Sequence, residues 1–310
     1  MMKLYRLKIY PRSSYITPWH SDTLMGSLCW VTKHLHGEQA LSDYLELCLG
    51  GKHPYVLSGC FPGDLLPRPL AGNCFQRGKA LSKEEAMAEY ARGKTAKKAN
   101  YISLDDFNTI ISGGQVEIGP RPAHEFQVSV MHNTISRLSD TTSDGGSLFE
   151  EPETFSCENY LSLYAAIEDS WIDRFQALLA ELARQGFGRR ASVGKGDFKV
   201  GEAEEFNHFA HVTKPGAKVM LSNYVPAKTD PVEGQYRAFI KYGKLGNEYA
   251  SLKNPFKKPV LMFEPGSVFW DNSDRKIYGR TFEGISPEKA EIVQFGCALA
   301  VPASVEKPDS

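Results

Sequence analysis

Four glycines fall between Gly186 and Gly196 in the stretch GFGRRASVGKGDF, and Arg189, Arg190 and Lys195 stand among them. Glycine takes positive φ without a Cβ penalty, so Gly186, Gly188, Gly194 and Gly196 define a loop whose backbone N–H groups can closely approach a ligand. With three cations and the Ser192 hydroxyl added, phosphate is the natural ligand. Two common phosphate motifs fail by count. Five residues separate Gly188 from Gly194 where a P-loop has four, and Gly196 follows Lys195 where a P-loop has Ser or Thr. The G-x-G-x-x-G fingerprint fails because Ala191 holds its third-glycine position and because the segment precedes a strand instead of opening a helix. The plain alternative is a glycine-rich turn whose charges are incidental.

The flanks set the context. Tyr164, Ile167, Trp171, Phe175, Leu178 and Leu182 recur at helical spacing, which predicts one long helix ending at Gly186. DFKV after the loop reads as a strand. At the start, Tyr5, Leu7 and Ile9 alternate with Arg6 and Lys8, the pattern of a half-buried strand. TPWHSDTLMGSLCWVTKHLHG follows as a helix, with Ser21 or Asp22 as N-cap, an apolar stripe through Leu24, Leu28, Val31 and Leu35, and Gly37 as C-cap. Residues 50 to 75 are dense in Gly and Pro, and residues 76 to 100 carry a local balance of +4. Phe126 to Val130 leads into HNTISRLSDTTSDGGSLFEE, a polar exposed hairpin. The resulting order is β-α-β-β-α-β, a ferredoxin-like module related to RNA-recognition folds. Beyond about residue 206 the strand-like runs KVMLSNYVP, YRAFIKYG, KPVLMFEPGSVF and VQFGCALAVP predict a second, β-rich module. The expected fold class is therefore α+β, with two ferredoxin-like (RRM-like) modules. Residues 1–205 form the first, with an insertion at about 50–125 and the hairpin at about 126–155; residues 206–302 form the second and 303–310 a loose tail.

At 310 residues with a formal net charge of -1, a nucleic-acid surface must come from local clusters of Lys and Arg. Cys29, Cys48, Cys60, Cys74, Cys157 and Cys297 form no C-x-x-C pair, which argues against a zinc site or a disulfide framework. The charged start MMKLYRLKIY is no signal peptide and no run is long enough to span a membrane, so a cytoplasmic protein is expected. His208 and His211 lack companion ligands at metal spacing and read as surface residues. No cofactor is implied. A Cys nucleophile with a His partner stays open by spacing. His20, between the first strand and helix, could act as general acid or base on a 2′-hydroxyl; Asp22 reads better as a helix cap than as a catalytic carboxylate.

Together TPWHSDTLMGSLCW, HNTISRLSDTTSDGGSLFEE, GFGRRASVGKGDF and FEPGSVF resemble the RAMP proteins of CRISPR systems, most closely the fourth subunit of the type III-A (Csm) effector complex. The resemblance implies a non-catalytic, two-part RAMP fold that caps the crRNA at its 5′ handle, docks on the large Cas10-type subunit and contacts a backbone RAMP subunit. It would place Gly186 to Gly196 on the handle. It would also make the hairpin around His132, Asn133 and Arg137 the family's thumb, inserted in the guide–target RNA duplex. Guide-processing RAMP endonucleases often use an N-terminal histidine, so His20 keeps alive the alternative of a crRNA-processing endoribonuclease.

Overall fold

The first strand, β1 (Met2–Pro11), alternates as its sequence predicts: Leu7 and Ile9 lie in one core, while Met2 and Leu4 on the opposite face pack against a second. The structure is a computed structural model and describes residues 1–70, 99–119, 122–133, 148–305 and 307. Most of the basic segment at 76–100 lies outside the described residues, as does Arg137.

Helix α1 (Ser21–Leu49) buries Leu24, Leu28 and Val31, whereas Leu35 is 44% exposed. Its N-cap is His20, and no side chain caps the first turn. This corrects the expectation of Ser21 or Asp22 as cap. Both are buried inside the helix, where distant partners take them: Ser21 Oγ accepts from the Asn223 N–H at 3.0 Å, and Asp22 accepts from Lys241 and Gln294. Gly37, with φ 85°, interrupts the helix as a cap would, but helical residues resume and continue to Leu49.

After β2 (Tyr55–Pro62) come a short helix, α2 (Leu104–Ile111), and an antiparallel hairpin of β3 (Glu125–Asn133) and β4 (Leu148–Ser156). The chain then returns through β5 (Leu161–Glu168), α3 (Ile172–Gln185) and β6 (Phe198–Val200). The strand order is β2-β5-β1-β6, each pair antiparallel, with Glu204–Glu205 also on β1.

One expectation fails at β5. Tyr164 and Ile167 belong to this strand, not to the helix, which begins only at Ile172. They point to opposite cores, Tyr164 toward the second sheet and Ile167 toward the helices. A strand covered on both faces is apolar at every position and so loses the alternation that distinguishes it from a helix.

The second sheet holds β7 (Ala217–Met220), β10 (Val268–Phe269) and β11 (Ala298–Ala303), with short strands Gly234–Gln235 and Ile277–Tyr278 at its edges. Between β7 and β10 the chain makes a two-stranded ribbon, β8 (Ala238–Lys241) paired with β9 (Val260–Phe263). Among the described residues past Gln185, helical turns are confined to the 3₁₀ segments 191–193 and 247–251. The layers are α1 and α3, first sheet, second sheet. Leu28, Phe175 and Leu178 fill the first gap; Val56, Tyr164, Val219 and Val301 fill the second, joined by Phe107 and Ile111 of α2. Ser222 crosses the seam: its Oγ donates to Leu57 O at 2.6 Å and accepts from Leu299 N–H at 3.0 Å.

Candidate nucleic-acid interface

Helix α3 stops at Gly186 because φ there is 81°, and the Gly186 N–H closes the last turn on Leu182 O at 2.9 Å. The next residue, Phe187, is buried with its ring stacked on Trp19 at 4.2 Å, so the loop is pinned to the segment preceding α1. Phe187 N–H donates to Gly196 O and Gly196 N–H to Ser14 O, both at 2.8 Å, closing the base of the loop. Gly188, Gly194 and Gly196 also take positive φ. A Cβ at Gly188 would meet the Thr17 side chain, whose Oγ1 accepts from Arg189 N–H at 2.9 Å; one at Gly196 would collide with the Phe187 carbonyl. Each glycine of that pair is required by close packing as well as by its dihedral.

Arg190 holds φ 62° without being glycine. A non-glycine residue there costs about 1–3 kcal/mol and needs compensation. The compensation comes from the hairpin. Glu151 of β4, only 2% exposed, lies against both Arg189, at 2.8 Å, and Arg190 Nε. Two positions on, Glu153 accepts from Lys195 Nζ at 2.6 Å and from Ser14 Oγ at 2.6 Å, and these hydrogen bonds hold its carboxyl below the ordinary carboxylate value. All three loop cations are thus engaged by two carboxylates buried at the root of the hairpin. Arg189 and Ser192 remain solvent-facing, and Ser192 has no hydrogen bond among the described residues.

His132, near the end of β3, joins this cluster. Its ring stacks on Phe149 at 5.4 Å and its Nε2 lies 3.8 Å from Glu151, while Arg190 sits over the Phe149 ring at 5.6 Å. Asn133 ends the strand. Glycine-rich loop and hairpin, remote in sequence, form one surface. The expectation that the hairpin is too polar for burial is corrected at Glu151 and Glu153, which the loop cations pair. The alternating Glu-Pro-Glu at 151–153 was the available signal, since residues two apart on a strand share a face. Ser14 lies in no motif, and Thr17 and Trp19, although part of TPWHSDTLMGSLCW, were not foreseen as supports of the loop.

His20 is engaged elsewhere. Lys241 Nζ lies 3.2 Å from its Nδ1 and also donates to Asp22 at 3.1 Å and Thr23 Oγ1 at 2.9 Å; Gln294 Nε2 donates to the second Asp22 oxygen at 2.9 Å. Burial, then the Lys241 ammonium, push the His20 pKa down to about 4. At neutral pH this imidazole is uncharged, its Nδ1 faces the Lys241 ammonium, and the one proton left on the ring is too weakly acidic for a general acid. A Cys–His pair does occur, Cys297 Sγ at 3.1 Å from His53 Nε2, but burial drives the thiol up to about 12 and the imidazole down to about 4. That is the reverse of a thiolate–imidazolium nucleophile. His208 and His211 are both exposed, and among the described residues no three His, Cys, Asp or Glu side chains are placed to share a metal ion.

Comparison with known proteins bears on the fold as a whole. No family model matches the chain. A chain of the crystal structure of a Csm1-Csm4 cassette in complex with cA4 superposes with a TM-score of 0.65 at 20% identity, covering 99% of this chain and 100% of that one. A chain of the Csm3-Csm4 subcomplex in the type III-A CRISPR-Cas interference complex gives 0.60 at 14% identity, covering 96% and 99%. At such identities the likeness speaks for the fold. In sequence, the chain is 27% identical over 238 residues to the CRISPR system Cms protein Csm4 of Thermococcus onnurineus (strain NA1), spanning 74% of this chain and 77% of the relative. The class to which these likenesses point is that of the RAMP-like proteins of type III-A CRISPR systems. Within it, the chain is Csm4-like in both sequence and fold.

Proposed function

We propose that the chain is a non-catalytic, crRNA-binding subunit of a type III-A CRISPR ribonucleoprotein, working in the cytoplasm in antiviral defence. Gly186 to Gly196 hold the guide at its 5′ handle, and the hairpin bearing His132, Asn133 and Arg137 is the thumb beside the guide–target RNA duplex. The subunit links a large Cas10-type subunit to the backbone RAMP subunits. It is built of two ferredoxin-like RAMP modules, residues 1–205 and 206–302, followed by the tail 303–310, and the second module borrows α2 from the first as a helical cover. The observation that carries this reading is the loop's rigid floor on Trp19 and Thr17, which presents Arg189, Ser192 and open backbone beside the hairpin root.

The test is retention of crRNA in the assembled complex. Replacing Arg189, Arg190 and Lys195 together by Ala weakens retention and flattens its salt dependence by roughly 0.7 log units of slope for each phosphate no longer neutralised. Unchanged retention and slope would refute the assignment. The neutral, Lys241-bound His20 favours this reading over a metal-independent endoribonuclease. That rival requires purified protein to cleave repeat RNA in EDTA and His20→Ala to abolish the cleavage.

A further inference from the structure

Six residues between Tyr236 and Lys258 are basic and one, Glu248, is acidic. Three of the six serve the protein itself: Arg237 pairs with Glu264, Lys241 with Asp22, and Lys257 donates to Val293 O at 3.0 Å. Lys244, Lys253 and Lys258 are exposed, and among the described residues no carboxylate pairs with them, although Lys258 Nζ donates to Gly284 O at 2.9 Å. This is the opposite of the glycine-rich loop, where every cation has a buried carboxylate partner.

The ribbon explains the division. Its pairing continues past β8 and β9, with Lys244 opposite Phe256, Leu245 N–H on Pro255 O and Lys257 N–H on Gly243 O. Successive side chains point to opposite faces on either side of a one-residue register shift between the Lys241–Val260 and Lys244–Phe256 pairs. Phe239, Lys241, Leu245 and Met262 point inward. Ile240, Tyr242, Lys244, Phe256, Lys258 and Leu261 form the outward face, where Tyr242 is 72% exposed and Phe256 57%. Lys244 Nζ lies 5.7 Å from the centre of the Phe256 ring. This face combines exposed rings with two exposed amines that no carboxylate neutralises, Lys244 over the Phe256 ring and Lys258 on the Gly284 carbonyl.

We infer that this outward face is a second contact surface for single-stranded RNA: Tyr242 and Phe256 stack bases, and Lys244 and Lys258 hold the adjoining phosphates. A strand of RNA matches both features, because every base has a π-face and every linkage a negative charge. The inference rests on the RNA-binding role proposed above and adds a second site to it.

The experiment uses the full chain and a fluorescein-labelled oligouridine of about 10 nucleotides, within the span such surfaces cover, with anisotropy read across a salt series. Tyr242→Ala with Phe256→Ala lowers affinity about tenfold or more while leaving the salt slope in place. Lys244→Ala with Lys258→Ala reduces the slope by about 1.4. Tyr242→Phe with Phe256→Tyr keeps the rings and the affinity. Both alanine pairs lie on solvent-facing positions, so unchanged thermal melting certifies their fold. Parental binding by both pairs overturns the inference, as does loss of a protein subunit from the assembled complex with RNA affinity intact, which marks a protein-docking face. Should the parent bind and only the Arg189, Arg190 and Lys195 triple variant lose the RNA, the ribbon site falls and the proposed function stands. Should the parent chain itself not bind, both fall.

Discussion

Gly196 has no room for a side chain: its φ of 65° and the Phe187 carbonyl against its Cα leave space for hydrogen only. Gly196→Ala should therefore lower the melting temperature by an amount equivalent to at least about 1–3 kcal/mol, the cost of a strained backbone position. Gly194, where a Cβ would meet nothing, should suffer only the dihedral strain and lose less. A smaller loss at Gly196 than at Gly194 would contradict the packing described. Sequence marked both glycines without ranking them, because the ranking depends on what the loop closes against. At Asp22 the sequence reading failed for a related reason. The local rule for helix starts was correct in kind, but Lys241 and Gln294 come from more than 200 residues away and take the carboxylate. Long-range competition of this sort leaves no trace in a window of neighbouring residues.

The elements fared according to how many faces they bury. β1 buries only Leu7 and Ile9 fully, both on one face, with charged Arg6 and Lys8 on the other, and the first half of α1 covers one face, so their periodicities were readable. β5 covers two, and its Tyr164 and Ile167 were assigned to the wrong element. The hairpin was recognised as a hairpin, but its attachment was not, since Glu151 and Glu153 look like ordinary solvated acids until the loop arrives over them. Replacing both by Gln should detach the hairpin root. Amide hydrogen exchange in β3 and β4 is then expected to accelerate while β1 and β5 keep their protection. Unaltered exchange in the hairpin would mean that the ion pairs are dispensable.

For the whole molecule, the decisive fact is that both sheets share one core. Val56, Tyr164, Val219 and Val301 pack in a single layer, and Ser222 hydrogen-bonds across it. Calorimetry should show one cooperative transition, and a chain truncated after residue 205 should be insoluble or bind hydrophobic dyes. Two separated transitions would contradict this. Acid should weaken the fold in a defined window. His20 and His53 have folded pKa values of about 4 against an ordinary 6.5, so the unfolded chain takes up protons first as pH falls. Their contribution is complete above about pH 6.5 and is lost progressively down to about 4, and His20→Asn with His53→Asn should flatten the melting temperature over that range. The carboxylates at the hairpin root carry a further consequence. In the proposed function, an RNA phosphate that seats on Arg189 or Arg190 would compete with Glu151 for the same guanidinium groups, which would link guide binding thermodynamically to hairpin docking. By reciprocity, whatever loosens the hairpin raises the loop's affinity for the phosphate by the same factor as the phosphate loosens the hairpin.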